Sequence, residues 1–273
     1  MSREKPLVFA AKQSGMALLD DPSSVVPWTE SARIDTSRGL AELQQYVTQP
    51  NDHRVVGAFV VMGAGNGGFR GRELVKKQNM GHVVADWIGL LGTAMNTLVV
   101  ADDLRSIGVP HRVLLAETMN IGLPGMDALE PATPEAIRAC IESGLLALIA
   151  GGSGIPNQST DSGIIDHLKA FRAMFGNEFD PLALKATEHG GVYESDPKVA
   201  LANGLPMPRR YAQISAHTMR ALGLHAVDEP GLDLIINSGE PMMLHGLRAK
   251  PDEIMSGTGT YVVPDPNFEP VFA

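Results

Sequence analysis

The stretch that most constrains the fold runs from Val55 to Asp103. It opens with a continuous apolar run, Val55 to Met62, of a length suited to a strand buried in a parallel sheet. The run breaks into Gly63-Ala64-Gly65-Asn66-Gly67-Gly68, where missing Cβ atoms let backbone N–H groups crowd round an anion. Arg70 follows, a planar donor fork suited to phosphate or carboxylate. Then Val83 to Leu104 reads as a long helix, apolar on most faces and carrying one stranded acid, Asp86. Together these parts describe a seat for a phosphate-bearing ligand. Gly63, Gly65 and Gly68 also match G-x-G-x-x-G, but the dinucleotide motif wants its acid at a second strand's end, and Asp86 lies within a helical pattern. A purely structural glycine turn is the plainer alternative.

The same strand-then-loop grammar recurs along the chain. Leu7 to Ala11 reads as a short strand delivering Lys12, Ser14 and Gly15 at its end. Residues 21–34 read as loop, and Ile34 to Val47 as helix. Gly108-Val109-Pro110 stops the long helix, and Arg112 to Ala116 restores a strand. Residues 118–132 suggest a mobile loop. Thr133-Pro134-Glu135 opens a helix that ends at Gly144. Leu145 to Ala150 is the next strand, and Gly151, Gly152, Ser153 and Gly154 lead through Ser159, Thr160 and Asp161 into a helix near 162–175. Free N–H groups and the positive dipole end would point at that loop; Ser159 to Asp161 equally make ordinary N-caps. Pro181 to Ala186 is a strand running into Thr187, Tyr193 and Asp196, a cradle for a second nucleotide. The pattern then predicts a helix over Tyr211 to Gly223, a strand over Leu232 to Asn237, a helix near 241–249 and a closing strand, Tyr261 to Val263. Strands alternating with helices mean an α/β fold, an open, mostly parallel sheet sandwiched by helices. Its ligands are expected beyond the strands' carboxyl ends.

Composition narrows the function classes. A length of 273 residues with 44% hydrophobic content supports a sizeable core, while 19% charged residues is low for a lone monomer and hints at oligomer contacts. A formal charge of -9 argues against general nucleic-acid binding, though not against a local positive pocket. Cys140 is the only cysteine, so no intrachain disulfide forms and a reducing cytoplasm fits. The N-terminus lacks a signal-peptide core, and the longest uncharged apolar-rich run, Trp87 to Ala101, falls short of the ~20 residues of a membrane span. The eight histidines show no H-x-x-x-H spacing, so no dedicated metal site is expected.

Five ordered motifs resemble bacterial uridylate kinases of the amino-acid-kinase superfamily. Lys12-Gln13-Ser14-Gly15 resembles an opening K-x-S-G. Gly63-Ala64-Gly65-Asn66 with Phe69-Arg70-Gly71 resembles G-G-G-N and F-R-G. Asp86 with Gly89 to Leu91 and Thr93 to Asn96 resembles that family's acid-bearing helix. The loop from Gly151 to Asp161 resembles G-G-T-G-N-P-F-F-T-T-D, and Lys185 to Pro197 resembles K-A-T-K-V-D-G-V-Y-x-A-D-P. The resemblance covers Leu7 to Val263. It implies a single carbamate-kinase-like domain over 1–273, with an acceptor-binding part at about 1–150 and a nucleotide-binding part at about 151–265. It further implies transfer of the ATP γ-phosphoryl group to UMP, Mg²⁺ as cofactor and a homohexamer. By the same resemblance, Lys12 and the turn at Gly63, Ala64 and Gly65 would hold the transferring group, and Arg70 the UMP phosphate. Asp86 would meet the ribose or base, and Ser159 and Thr160 the acceptor phosphate. Asp161 would order the lysine or metal. Ser14, Gly15, Gly152, Ser153, Thr187, Tyr193 and Asp196 would serve the ATP side.

The chain departs from that pattern at Glu188 and Gly190, where the family has Lys and Asp. It departs again at Met16, where the family has Glu, and at Ile155, Asn157 and Gln158. Gly63 to Gly65 and the run Ile155-Pro156 to Gly163 resemble the molybdenum storage proteins instead, which share the fold and bind ATP while holding oxometalate. A nucleotide-binding pseudoenzyme is the third reading.

Overall fold

The computed structural model describes residues 5–18, 28–63, 71–116, 129–155 and 158–273. Strand β1 (Leu7–Gln13) lies at the middle of its sheet, parallel to β2 (Val55–Met62) on one side and β6 (Asp180–Thr187) on the other. The apolar run of β2 is buried along nearly its whole length, as a strand covered on both faces should be. Beyond β2 stand β5 (Leu146–Ala150), β3 (His111–Leu115) and the two-residue β4 (Glu130–Pro131). Beyond β6 stand β8 (Met242–Gly246), β9 (Thr260–Val263), β7 (Tyr211–Ser215) and β10 (Val271–Phe272). Every pair is parallel except β8–β9 and β7–β10.

Strand alternation divides the interior into two cores. Val8 and Ala10 face helices α4 (Pro134–Glu142), α5 (Thr160–Phe175) and α8 (Glu229–Ser238), meeting Ile137, Phe171 and Ile235. Phe9 faces the opposite way, toward α1 (Glu30–Thr48) and α3 (His82–Ser106), where Leu40, Val100 and Leu104 cover it. A fully buried side chain of this size contributes about 1.5–3 kcal/mol. Among the described helices α3 is long and apolar enough to cross a membrane, but Leu90, Val100 and Leu104 pack it into this fold.

The structure corrects several sequence-based expectations. Lys12 stands inside β1 rather than past its end. Helix α1 begins at Glu30, within the stretch expected as loop. A helix α2 (Gly71–Gln78) precedes α3 and was not anticipated. Of the expected mobile loop, only residues 129–132 are described, and Glu130–Pro131 there pairs with β3. The C-terminal third differs most. Tyr211 to Ser215 is strand, and only α7 (Ala216–Ala221) is helical, capped by the Ser215 side chain. Leu232 to Asn237 belongs to α8, because Asp228 caps it, Pro230 sits in its first turn and Gly239 closes it in the left-handed region (φ 74°). The stretch 241–249 contains β8 instead of a helix, and the nearest helix is α9 (Pro251–Met255). Short apolar runs such as LDLIIN fit either period, and the caps decide between them.

Candidate active site

β1 and β6 run in register, pairing Lys12 with Lys185, so both ammonium groups leave the same sheet face side by side. Two adjacent cations need an anion between them, and α5 supplies Asp161 from its first turn. Lys12 Nζ lies 3.2 Å from Asp161 Oδ1, and Lys185 Nζ donates to Asp161 Oδ2. Asp161 is buried, and Lys12 and Lys185 keep 12% and 11% of their side chains exposed. Burial alone would raise the Asp161 pKa, but the charges of Lys12 and Lys185 outweigh it and hold the carboxyl below its usual range. Burial pulls the Lys185 ammonium below its usual value, against the opposing pull of Asp161. Two lysines thus share one carboxylate at the strands' carboxyl ends, with Asp228 as the next acid in the cluster.

Asp161 is fixed by the architecture of the helix start. Ser159 caps α5, accepting from Ser162 N at 3.0 Å, and Ser162 returns a bond to Ser159 N. Ser159 Oγ also donates to Asp228 Oδ1 at 2.9 Å, tying the caps of α5 and α8 together. Burial, then the neighbouring Asp161 charge, raises the Asp228 pKa. The capping box occupies the N–H groups of Ser159 and Ser162 and so fixes the start of α5.

The glycine turns close on this cluster. Gly63 N donates to Gln13 O at 2.8 Å, and a Cβ at Gly63 would stand 3.2 Å from Gly15 N and 3.4 Å from Thr160 Oγ1. Gly152 holds φ +58°, which favours glycine, and lies against Thr160. Helix α3 runs beneath both turns. Asn96 Nδ2 donates to Gly63 O at 2.7 Å, and Thr93 Oγ1 accepts from Gly151 N at 2.7 Å. Lys12, Gly15, Gly63, Gly152, Thr160 and Asp161 therefore share one location. Ser153 sits beside them, its backbone N 2.8 Å from where a Gly163 Cβ would be. Gly163→Ala should consequently push this loop off the helix start and cut activity by an order of magnitude or more, about 1.4 kcal/mol per tenfold. Steady-state turnover alongside a thermal melt checks it; full activity would mean the loop need not touch α5.

Asp86 is half-buried on α3, two turns before Thr93, with Oδ1 3.2 Å from the position of a Gly71 Cβ. Ser14 ends the β1 turn, its carbonyl accepting from Ala17 N. Ala64, Gly65 and Arg70 lie outside the described residues.

The second group lies at the ends of β6 and β8, around a cavity of about 500 Å³. Tyr193 lines it and donates to His189 O at 2.7 Å. Thr187 and Asp196 do not line it. Thr187 Oγ1 accepts from Gly191 N, and Asp196 caps the short helix α6 (Pro197–Ala202). Glu188, the acid in a basic position, meets Lys198 at 2.7 Å. Both are well exposed, so this pair is worth at most about 1 kcal/mol, yet it answers the reversed charge locally.

Sequence reasoning passed over Lys185, Asp228, Asn96 and Thr93 as site residues. Lys185 had a signal, since a lysine in the inward register of an apolar strand needs a buried partner. Asp228-Glu229-Pro230 is a helix-start signature.

A family model described as the amino acid kinase family matches residues 30–244. A uridylate kinase from Leifsonia xyli subsp. xyli is 32% identical over 190 residues, covering 69% of this chain and 71% of its own. One from Rhodococcus jostii is 32% identical over 189 residues, 69% of each. Among solved structures, the UMP kinase from Bacillus anthracis superposes with TM-score 0.74 at 20% identity, covering 99% of this chain and 100% of that one. An aspartate kinase from Synechocystis gives 0.62 at 15% identity, covering 96% of this chain and 40% of that one. With the strand-end lysines, the capped carboxylate and the glycine turns all in view, the chain belongs to the amino acid kinase family, among the uridylate kinases.

Proposed function

We propose that this protein transfers the γ-phosphoryl group of ATP to UMP. The observation that carries the reading is the Lys12–Asp161–Lys185 cluster beside Gly63 and the start of α5. Phosphoryl transfer asks for positioning and charge neutralisation rather than covalent help from the protein. A UMP phosphate oxygen attacks the γ-phosphorus, the bond to the β,γ-bridging oxygen breaks, and ADP departs. Lys12 neutralises charge on the transferring group, with Asp161 aiming it and Lys185 holding Asp161. The turn from Gly63 to Gly65 and the α5 start (Ser159, Thr160) receive phosphate oxygens. Arg70 grips the UMP phosphate and Asp86 the nucleoside. The adenine nucleotide enters from the cavity at Tyr193, with Ser14, Gly15, Gly152 and Ser153 lining its phosphates and Thr187 and Asp196 shaping the neighbouring turn. On this reading the acceptor half is about 1–150 and the nucleotide half about 151–265.

Mg²⁺ would reach the site on the ATP phosphates and neutralise them. Among the described residues there is no group of three or more His, Cys, Asp or Glu side chains placed to hold a metal ion. No observation among the described residues favours the oxometalate-storage reading.

The test is ADP release from Mg-ATP with UMP, CMP, AMP, small carboxylic acids or no acceptor. UMP-dependent release is expected; release indifferent to UMP would overturn the assignment.

The reading extends to self-association. Val84, Trp87, Leu91, Met95 and Leu98 form an exposed apolar stripe along α3 at three- and four-residue spacing. A second copy of the same helix covers such a stripe about a twofold axis, and a hexamer would assemble from such pairs. The buried lone cysteine suits a reducing cytoplasm. Leu91→Glu should shift the sedimentation profile to smaller species while the chain stays folded. An unchanged profile would dismiss this face.

A further inference from the structure

Lys12 and Lys185 meet Asp161 on one face of the sheet, and a second cavity, which Lys12 and Gln13 also border, lies toward the other. Because side chains alternate along a strand, Lys12 and Lys185 point toward α5 while Ala11 and Leu184 point toward α1. Between these strands and α1 is a space of about 280 Å³, floored by Ala11, Val60 and Leu184 and walled by Leu40 and, from α9, Ile254. That is near the small end of ligand pockets, roughly 300–1,000 Å³. It adjoins the cavity at Tyr193 only through Leu247, Arg248 and Ala249, which line both.

Three further features give this space a chemistry. His245 stands on the floor, with Nδ1 2.9 Å from its acceptor, the Gly246 carbonyl. That places the ring proton on Nδ1 and leaves Nε2 as an acceptor. Burial lowers the His245 pKa, which keeps the ring neutral. The rim carries Arg38, Arg248 and Lys250 against Asp35 and Glu42. Asp35 is divided between Arg38 at 3.2 Å and Arg248 at 3.0 Å, so the rim holds an excess of positive charge. The mouth is opened by Gly39, in the middle of α1. A glycine there costs about 1 kcal/mol against alanine, yet a Cβ at Gly39 would meet nothing within 4 Å. No neighbouring group requires the glycine; its missing side chain leaves the entrance clear.

We propose that this cavity binds a small amphipathic anion, one or two rings bearing a single acidic group, independently of the nucleotides. The rings lie on the apolar floor, a donor on the ligand meets His245, and the acidic group faces the cationic rim. Of the residues assigned to phosphoryl transfer the cavity borders Lys12 alone, and its binding test does not depend on that reading.

Anilinonaphthalene sulfonate, which has aromatic rings, one N–H and one sulfonate, is the probe. Its fluorescence titration on the full-length protein should saturate at one molecule per chain and persist in saturating Mg-ATP and UMP. Gly39→Ala should retain binding, whereas Gly39→Leu should weaken it at least about tenfold, or 1.4 kcal/mol. Arg38→Glu should weaken it severalfold and reduce its salt dependence. ADP release should be unchanged in all three variants. Binding that survives Gly39→Leu undiminished, or that Mg-ATP displaces, overturns the proposal. Should Gly39→Leu melt early, Arg38→Glu decides alone, and unaltered affinity in that variant counts against the site.

Discussion

Asp161→Asn should lower turnover about a thousandfold, in the range found when a preorganised charge at a reacting group is removed, and should destabilise the fold as well. Asparagine fills the same space but leaves Lys12 and Lys185 without the carboxylate they share, with Asp228 the remaining acid that acts on Lys185. Breaking a buried ion pair by deleting one partner costs about 3–5 kcal/mol. Part of that is recovered when Lys185, whose ammonium burial already disfavours, gives up its proton. The pH dependence has a definite sign. The folded-state pKa of Asp161 is lowered, so its stabilisation is complete above the unfolded value of about 3.9. It is lost as pH falls below that value through the folded one. Denaturant unfolding of both proteins should therefore show a wide gap near neutrality that narrows in acid. Equal stability and equal turnover would remove Asp161 from the centre of the site.

Lys12→Met should produce the opposite combination, a loss of turnover of about a hundredfold or more with the fold kept. Lys185 still pairs with Asp161 in that variant, so no buried carboxylate is stranded. The methionine retains most of the apolar stem. Since Lys12 is assigned to charge that develops on the transferring group, kcat should fall more than KM for UMP rises. A rise in KM alone would make Lys12 a ground-state binding residue. Together the two variants separate what holds the cluster together from what the cluster does.

Legibility in the sequence followed how local each feature was. The strand Val55–Met62, the long helix α3 and the Thr133-Pro134 helix start are written in consecutive residues, and they stand where expected. The region from Tyr211 to Gly246 misled because its apolar runs are short. Asp228 and Gly239 held the information that the hydrophobic pattern lacked. The site divided in the same way. Lys12, Gly63, Thr160 and Asp161 stood out as residue types at the ends of strands. The Lys12–Lys185 register and the Ser159–Asp228 bond join residues far apart in the chain. Those contacts depend on strand order, which no local pattern encodes.

That strand order has a temporal consequence. Among the described residues, every strand on one flank of β1 comes from residues before 151, and every strand on the other from residues after 179. A chain emerging from the ribosome thus carries β1 half-paired, with Lys12 on an open edge, until β6 has been made. At roughly 5–20 residues per second that interval lasts several seconds or longer. Pairing so distant in sequence is also slow to nucleate. The seam along β1 stays open until β6 arrives, and Lys12, Asp161 and Lys185 can come together only then.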